Sequence, residues 1–233
     1  MAVYCMSDIH GDYEKYHEML RLIDLKDRDI LFVIGDVVDR GRGSMKILMD
    51  MMMRPNVIPM IGNHEYMALQ CLSFLRQEVT EESIAKMDAG LMEGLLEWKE
   101  VGGDTTIDEF RTLSPEEQED ILEYLEEFTL TEEVSAGGNT FVLAHSGLLN
   151  FSEDRDLDDY EPFEVLFEKP DYSRRYYSDR YIVSGHVPTR TIKENPAPDR
   201  IYINNGNIAI DCGSGYGGTL GAIRLDDLKE YYV

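Results

Sequence analysis

Three short apolar runs near the N-terminus, Val3–Ser7, Ile30–Ile34 and Val57–Ile61, each stop abruptly at a glycine or a polar cluster. Between the first two lies Tyr13–Ile23, with Tyr16, Met19, Leu20 and Ile23 at helical spacing and Asp12 as a fitting N-cap. Between the second and third lies the methionine-rich stretch Met45–Met53, which also reads as a helix. Strand, helix, strand, helix, strand dictates an α/β sheet, and the continuous apolar character of Ile30–Ile34 suits a strand covered on both faces. Such sheets bind ligands beyond the carboxyl ends of their strands, so the residues that end each run become the candidates for function.

From Glu65 to about Gly137 strand signals vanish and helical ones dominate. Ser114-Pro115-Glu116-Glu117 is a helix start, and Ile121, Leu122, Leu125 and Phe128 follow as one apolar stripe. Acids crowd the stretch from Ile107 to Glu133, where Arg111 is the only base, so that face must be solvated. The segment reads as a helical insertion. Strands return at Thr140–Ala144, Tyr181–Ser184, Arg200–Ile203, Ile208–Ile210 and Thr219–Leu225, and Asn205-Gly206 signals a hairpin. The C-terminal third is therefore expected to be more antiparallel.

Charge removes several classes. Lys and Arg number 22 against 46 Asp and Glu, a net charge of −24. A nucleic-acid partner would need clustered cations to displace counterions. No apolar run is long enough to span a bilayer. Cys5, Cys71 and Cys212 are widely spaced and form neither a disulfide framework nor a zinc pattern. With no basic-then-apolar leader at the N-terminus, free thiols and a cytoplasmic location are expected.

Polar residues sit where the strands end. Asp8 and His10 follow the first run, and Gly35-Asp36-Val37-Val38-Asp39-Arg40-Gly41 follows the second. Gly62-Asn63-His64-Glu65 follows the third, His145 the fourth and His186 the fifth. Each piece has a plain structural alternative. Asp8 can begin a turn, Glu65 can cap the next helix, and a lone histidine after a strand is usually a hydrogen-bonded core residue. Four of the five histidines at strand ends is harder to dismiss, leaving only His17 mid-helix as a surface or packing residue. Imidazole with carboxylate and amide oxygens suits manganese, iron or zinc, and the donors suffice for two ions that share one carboxylate. No thiolate belongs to the set, which argues against a closed structural zinc site.

The series Ser7-Asp8-Ile9-His10-Gly11, Gly35-Asp36-Val37-Val38-Asp39-Arg40-Gly41, Gly62-Asn63-His64-Glu65, His145 and Gly185-His186 resembles the metal-dependent phosphoprotein phosphatases of the calcineurin-like metallophosphoesterase superfamily. The likeness is to small bacterial and phage serine/threonine phosphatases, with diadenosine tetraphosphatases as near relatives. It implies an α/β fold: a calcineurin-like β-sandwich flanked by helices, forming a single domain over 1–233 with an acidic helical insertion at about 66–137. It implies two divalent ions, with manganese expected and iron or zinc as alternatives. Asp8 and His10 would hold the first ion, Asp36 would bridge both, and Asn63, His145 and His186 would complete the second. His64, oriented by Asp39, would protonate the leaving group, and Arg40 would bind the phosphoryl oxygens.

Two departures from the family pattern stand out. Ser7 replaces a glycine, at little cost. Lys169 stands where relatives place a phosphate-binding arginine, so either Lys169 holds phosphate or Arg174, Arg175 or Arg180 substitutes. Pro188 stands where other superfamily branches place a further histidine ligand, which favours the phosphoprotein and dinucleoside-polyphosphate branch. The expected activity is phosphomonoester hydrolysis, foremost of protein phosphoserine and phosphothreonine, by direct attack of water that the two ions activate. The alternatives are a dinucleoside polyphosphate hydrolase and a pseudophosphatase that binds without turnover. The expected partner is a phosphorylated protein or small phosphoester, with neither nucleic acid nor membrane involved.

Overall fold

The computed structural model describes residues 1–76 and 89–233. In chain order its strands are β1 (Val3–Met6), β2 (Ile30–Ile34), β3 (Val57–Met60), β4 (Thr131–Ala136) and β5 (Asn139–Ala144). These are followed by β6 (Arg180–Ser184), β7 (Tyr202–Asn204), β8 (Asn207–Ala209), β9 (Gly221–Arg224) and β10 (Lys229–Tyr232). Among the described residues they form two five-stranded sheets, ordered β10-β9-β1-β2-β3 and β4-β5-β6-β8-β7.

Alternation along the strands decides which face meets which neighbour. Val3 and Cys5 of β1 join Phe32, Ile34 and Met60 in a core shared with Phe141, Leu143, Val183 and Ile208 of the second sheet. The intervening Tyr4, Met6, Leu31 and Val33 point the other way, into a core with the helices. Those helices are α1 (Tyr13–Ile23), α2 (Ser44–Met52) and α3 (Asn63–Leu75), then α4 (Ala89–Trp98), α5 (Asp104–Phe110) and α6 (Pro115–Glu126). The far face of the second sheet is covered by Val165 and Leu166 of the short α7 (Pro162–Leu166), with Tyr160 and Tyr177. The result is two facing sheets with helices outside them.

The predicted N-caps are in place. Asp12 accepts from the Lys15 amide at 3.1 Å, and Ser114 exchanges hydrogen bonds with Glu117. The stretch from α4 to α6 does not hang in solvent: Trp98, Ile107, Phe110, Ile121 and Leu125 enter the same core as α1 and α2.

The pattern reading is corrected at β4 and β10 and refined in the C-terminal third. β4 lies inside the span read as helical. It is an edge strand whose glutamates conceal the alternation, and it pairs with β5 through Gly137 and Gly138, both at positive φ. β10, rich in Lys, Glu and Tyr, is likewise an edge strand that the pattern did not reveal. In the second sheet the inner pairs β5–β6 and β6–β8 are parallel and the outer pairs β4–β5 and β7–β8 antiparallel, while β9 pairs antiparallel with both β1 and β10, so the C-terminal third combines the two senses. The long crossovers through α7 and the 189–200 loop permit this parallel order. The Asn205-Gly206 hairpin forms as expected, with φ of 49° and 76°. Within the described residues, no helix is long and apolar enough to cross a membrane. All three cysteines are buried and unpaired.

Candidate metal centre

Two parallel trios, β1-β2-β3 and β5-β6-β8, point their carboxyl ends at the same place. Asp8, Asp36 and Asn63 leave the first trio, and His145, His186 and Asp211 leave the second. The turns are tight and unusual. Asp8, His10, Asp36, Asp39, Arg40 and His186 all have positive φ, between 49° and 75°. Such backbone costs of order 1 kcal/mol per non-glycine residue and persists only where the surroundings hold it. Glu65 is one such holder: it is fully buried, and its carboxylate accepts from the amides of Asp36, Val37, Val38 and Gly62 at 2.7–3.0 Å. Its role as a helix cap is real, but it also clamps the Asp36 turn.

Asp36 is the hub. Its Oδ1 is 3.3 Å from His145 Nε2 and accepts from the His64 amide at 3.2 Å. Its Oδ2 is 3.7 Å from His10 Nε2 and 3.9 Å from His64 Nε2. Two compact groups result, His10–Asp36–His64 and Asp36–His145–His186, and the donor atoms within each lie within 4.8 Å of one another. Asn63 Oδ1 joins the second group, 3.0 Å from both His145 Nε2 and His186 Nδ1. Asp8 stands slightly apart. Its carboxylate accepts from the His186 amide at 3.1–3.2 Å, and it belongs to neither compact group.

The donor chemistry fits cations. His10 Nδ1 lies 3.0 Å from the Val38 carbonyl and His145 Nδ1 lies 2.9 Å from the Ile34 carbonyl. A carbonyl only accepts, so each Nδ1 carries a proton, which leaves Nε2, on the side of Asp36, as the atom that ligates when unprotonated. This is how ligating histidines are usually oriented. Burial, foremost, pushes His10 down to about 3 and His186 down to about 4, so both imidazoles are neutral, the form that ligates. Burial, then Asp211 and Asp36, pushes Asp8 well above the usual carboxylate range. Burial also opposes charge on Asp36, but His145, His64 and His10 overcome it and hold that carboxyl well below its ordinary range. Burial opposes charge on His145 too, yet Asp36 and Asp8 raise it to about 10. A pocket that draws a proton onto a buried imidazole has surplus negative charge, which two divalent ions would neutralise.

A second group flanks the hub. His64 Nδ1 donates to Asp39 Oδ2 at 2.5 Å. Asp39 is fully buried and also accepts from Trp98 Nε1 and from the Thr106 hydroxyl, each at 2.6 Å. Arg40 spans the mouth, with Nη1 2.6 Å from His10 Nε2 and Nη2 3.2 Å from His64 Nε2. Its guanidinium lies 4.3 Å from the Tyr216 ring centroid. A Cβ at Gly215 would come within 2.4 Å of Cδ2 of the buried His10 ring, so glycine lets that turn close on the site.

Not every candidate joins the site. Lys169 is exposed yet near enough for its charge to lower His186, whereas the arginines offered in its place are engaged elsewhere. Arg180 pairs with Glu133, Arg175 donates to the Ser178 carbonyl, and Arg174 lies over Phe151 and Tyr176. His17 is half-buried and stacks on Tyr13.

Three functional neighbours escaped the sequence reading. Asp211 is buried and pushed up to about 6 by burial, with Asp36 adding to the shift. It stands directly after the Ile208–Ile210 run, the same signal that flagged the others. Trp98 and Thr106 carry no local signal, because they reach Asp39 only through the tertiary packing of α4 and α5.

A family model described as calcineurin-like phosphoesterase matches residues 1–190. A symmetrical bis(5'-nucleosyl)-tetraphosphatase from Delftia acidovorans is 32% identical over 101 residues, which is 42% of this chain and 36% of the relative. The chain thus spans little more than a third of that relative. An asymmetrical bis(5'-nucleosyl)-tetraphosphatase from a Geobacillus species is 22% identical over 261 residues, covering 100% of this chain and 94% of the relative. Among solved structures, a candidate diadenosine tetraphosphatase superposes with a TM-score of 0.67 at 18% identity, covering 100% of this chain and 92% of the other. At that identity the superposition shows a shared fold.

Proposed function

The chain belongs to the calcineurin-like phosphoesterase family, and from that premise we propose that it hydrolyses a phosphoanhydride bond of dinucleoside polyphosphates. One observation carries the chemistry: the Asp36 carboxylate faces two groups of imidazole donors, one on each oxygen, with the Arg40 fork at the mouth. The sequence alone puts a phosphoprotein substrate first. The similarity to tetraphosphatases reverses that order.

In this reading Asp8 and His10 would hold one divalent ion and Asn63, His145 and His186 the other, with Asp36 available to both. When bound, such ions polarise phosphoryl oxygens and lower the pKa of water between them. Arg40 binds the equatorial oxygens of the reacting phosphoryl group with the two N–H groups it now directs at His10 and His64. His64 supplies a proton to the departing oxygen from Nε2. Burial opposes its charge, but in the metal-free protein Asp36 and Asp39 raise its pKa, and Asp39 keeps that role when Asp36 is engaged by cations. Asp39 fixes the ring by accepting from Nδ1, and Trp98 and Thr106 fix Asp39.

The role of the insertion is testable through its indole. Trp98→Phe keeps an aromatic ring at this buried site, though a smaller one, and removes the N–H that Asp39 accepts. Steady-state kcat is expected to fall about tenfold. An unchanged kcat would mean that Asp39 does not act through that contact.

Incubating the manganese-loaded protein with diadenosine tetraphosphate and separating the nucleotides by anion exchange tests the reading itself. Mononucleotide products are expected, lost with EDTA and restored by manganese. An intact tetraphosphate beside a dephosphorylated phosphoserine peptide would return the assignment to a protein phosphatase.

A further inference from the structure

A cleft of about 480 Å3 opens beside the metal centre, with His10 and Arg40 at its inner end. Arg42, Lys46, Ser214 and Gly215 are among the residues that line it. We propose that this cleft is a polyphosphate subsite, in which Arg42 and Lys46 hold the phosphates beyond the one that reacts at Arg40. The proposal deepens the phosphoanhydride reading and rests on it.

The charges are arranged for this. The lining holds four cations, Lys15, Arg40, Arg42 and Lys46, against two acids, Asp12 and Glu14. Lys15 is already committed. Its ammonium pairs with Asp12 at 3.0 Å and donates to the Gly218 carbonyl at 2.9 Å, tying α1 to the Ser214–Gly217 wall. Arg42 is not committed: its single ion pair, with Asp108, is at 3.8 Å between side chains 75% and 59% exposed. A pair that loose and solvated contributes almost nothing to hold the side chain. Lys46 is exposed, with its ammonium 5.8 Å from the Tyr13 ring centroid, and it makes no ion pair among the described residues. Two unspent cations beside the reactive centre stand out in a chain of net charge −24.

The cleft's shape agrees. Gly11, Gly41, Gly215 and Gly217 are among its lining residues, so part of the wall carries no side chain that would fill the cleft. A run of phosphates needs hydrogen-bond donors, and Arg42 and Lys46 supply them. A simple monoester would engage Arg40 and leave Arg42 and Lys46 unused. Within a Debye length, about 8 Å at physiological salt, the local cations outweigh the distant acids.

Calorimetric titration of the manganese-loaded protein, with free manganese held constant, tests this without any turnover. The ligands are methylphosphonate, with one phosphoryl group, and methylenediphosphonate, with two that cannot be hydrolysed apart. Wild type is expected to bind the second about tenfold or more tighter, the scale of one or two charge-assisted contacts. The Arg42→Ala/Lys46→Ala variant is expected to lose that preference to within about threefold. A Lys26→Ala/Lys229→Ala variant, which removes the same formal charge away from the cleft, is expected to keep it. Equal affinity of wild type for the two ligands, or a preference that survives in the cleft variant, would overturn the subsite. Failure to cleave diadenosine tetraphosphate would instead overturn the phosphoanhydride reading and leave this affinity ratio to be judged alone.

Discussion

Asp36→Asn lowers kcat by about 10³-fold or more, because the metal contribution to the barrier amounts to several kcal/mol. The substitution keeps the shape and an oxygen for the His64 amide, which Asp36 now accepts at 3.2 Å. It removes the second charged oxygen, the one 3.7 Å from His10 Nε2. One of the two donor groups therefore loses its carboxylate. Elemental analysis after manganese loading is expected to fall from two ions per chain toward one. The fold should survive, since the turn is held through backbone amides by Glu65 and not by the Asp36 side chain. Relief of repulsion among buried Asp8, Asp36 and Asp211 works in the same direction. Kinetics, metal content and circular dichroism on one preparation check all of this, and an Asp36→Asn enzyme with wild-type kcat would refute the shared carboxylate.

His64→Asn has the second largest effect, and its size depends on the substrate. A general acid contributes about 10²–10⁴-fold when the leaving group is a poor one, such as a serine alkoxide. The group leaving an anhydride is a phosphate oxygen, whose protonated form has a pKa near about 6, so it departs with little help. The loss on a phosphoserine peptide is therefore expected to be about 10²-fold or more, and on diadenosine tetraphosphate only about tenfold. Asn retains a polar group near Asp39 and Arg40 but cannot shuttle a proton. Measuring kcat on both substrates checks the ratio, and equal losses would show that His64 serves binding more than proton transfer.

Much of the site could be read before the fold was in view, for a physical reason. Asp8, Asp36, Asn63, His145 and His186 each end a short apolar run, and parallel strands deliver such residues to one edge. The same rule covered Asp211, whose run Ile208–Ile210 was recognised while the aspartate after it was passed over. Trp98 and Thr106 were beyond reach. They lie 59 and 67 residues from Asp39, and only the packing of α4 and α5 on the first core brings them near. The acid-rich stretch from Ile107 reads as solvated, yet Ile107, Phe110, Ile121 and Leu125 on its other side pack into the first core, next to the segment whose Trp98 and Thr106 reach Asp39. The left-handed turns at Asp8, Asp36 and Arg40 were also hidden, because a non-glycine residue gives no sign of positive φ. Edge strands β4 and β10 escaped because charged side chains mask the alternation that marks a strand.

The most direct test of the whole account is a competition in one vessel. Wild-type protein loaded with manganese meets diadenosine tetraphosphate and a phosphoserine peptide at equal concentrations, and the two depletion rates give the ratio of kcat/KM. The account predicts that the tetraphosphate disappears faster, by about tenfold or more if Arg42 and Lys46 act on it. Preferential loss of the phosphopeptide, or no turnover of either with manganese bound, would contradict it.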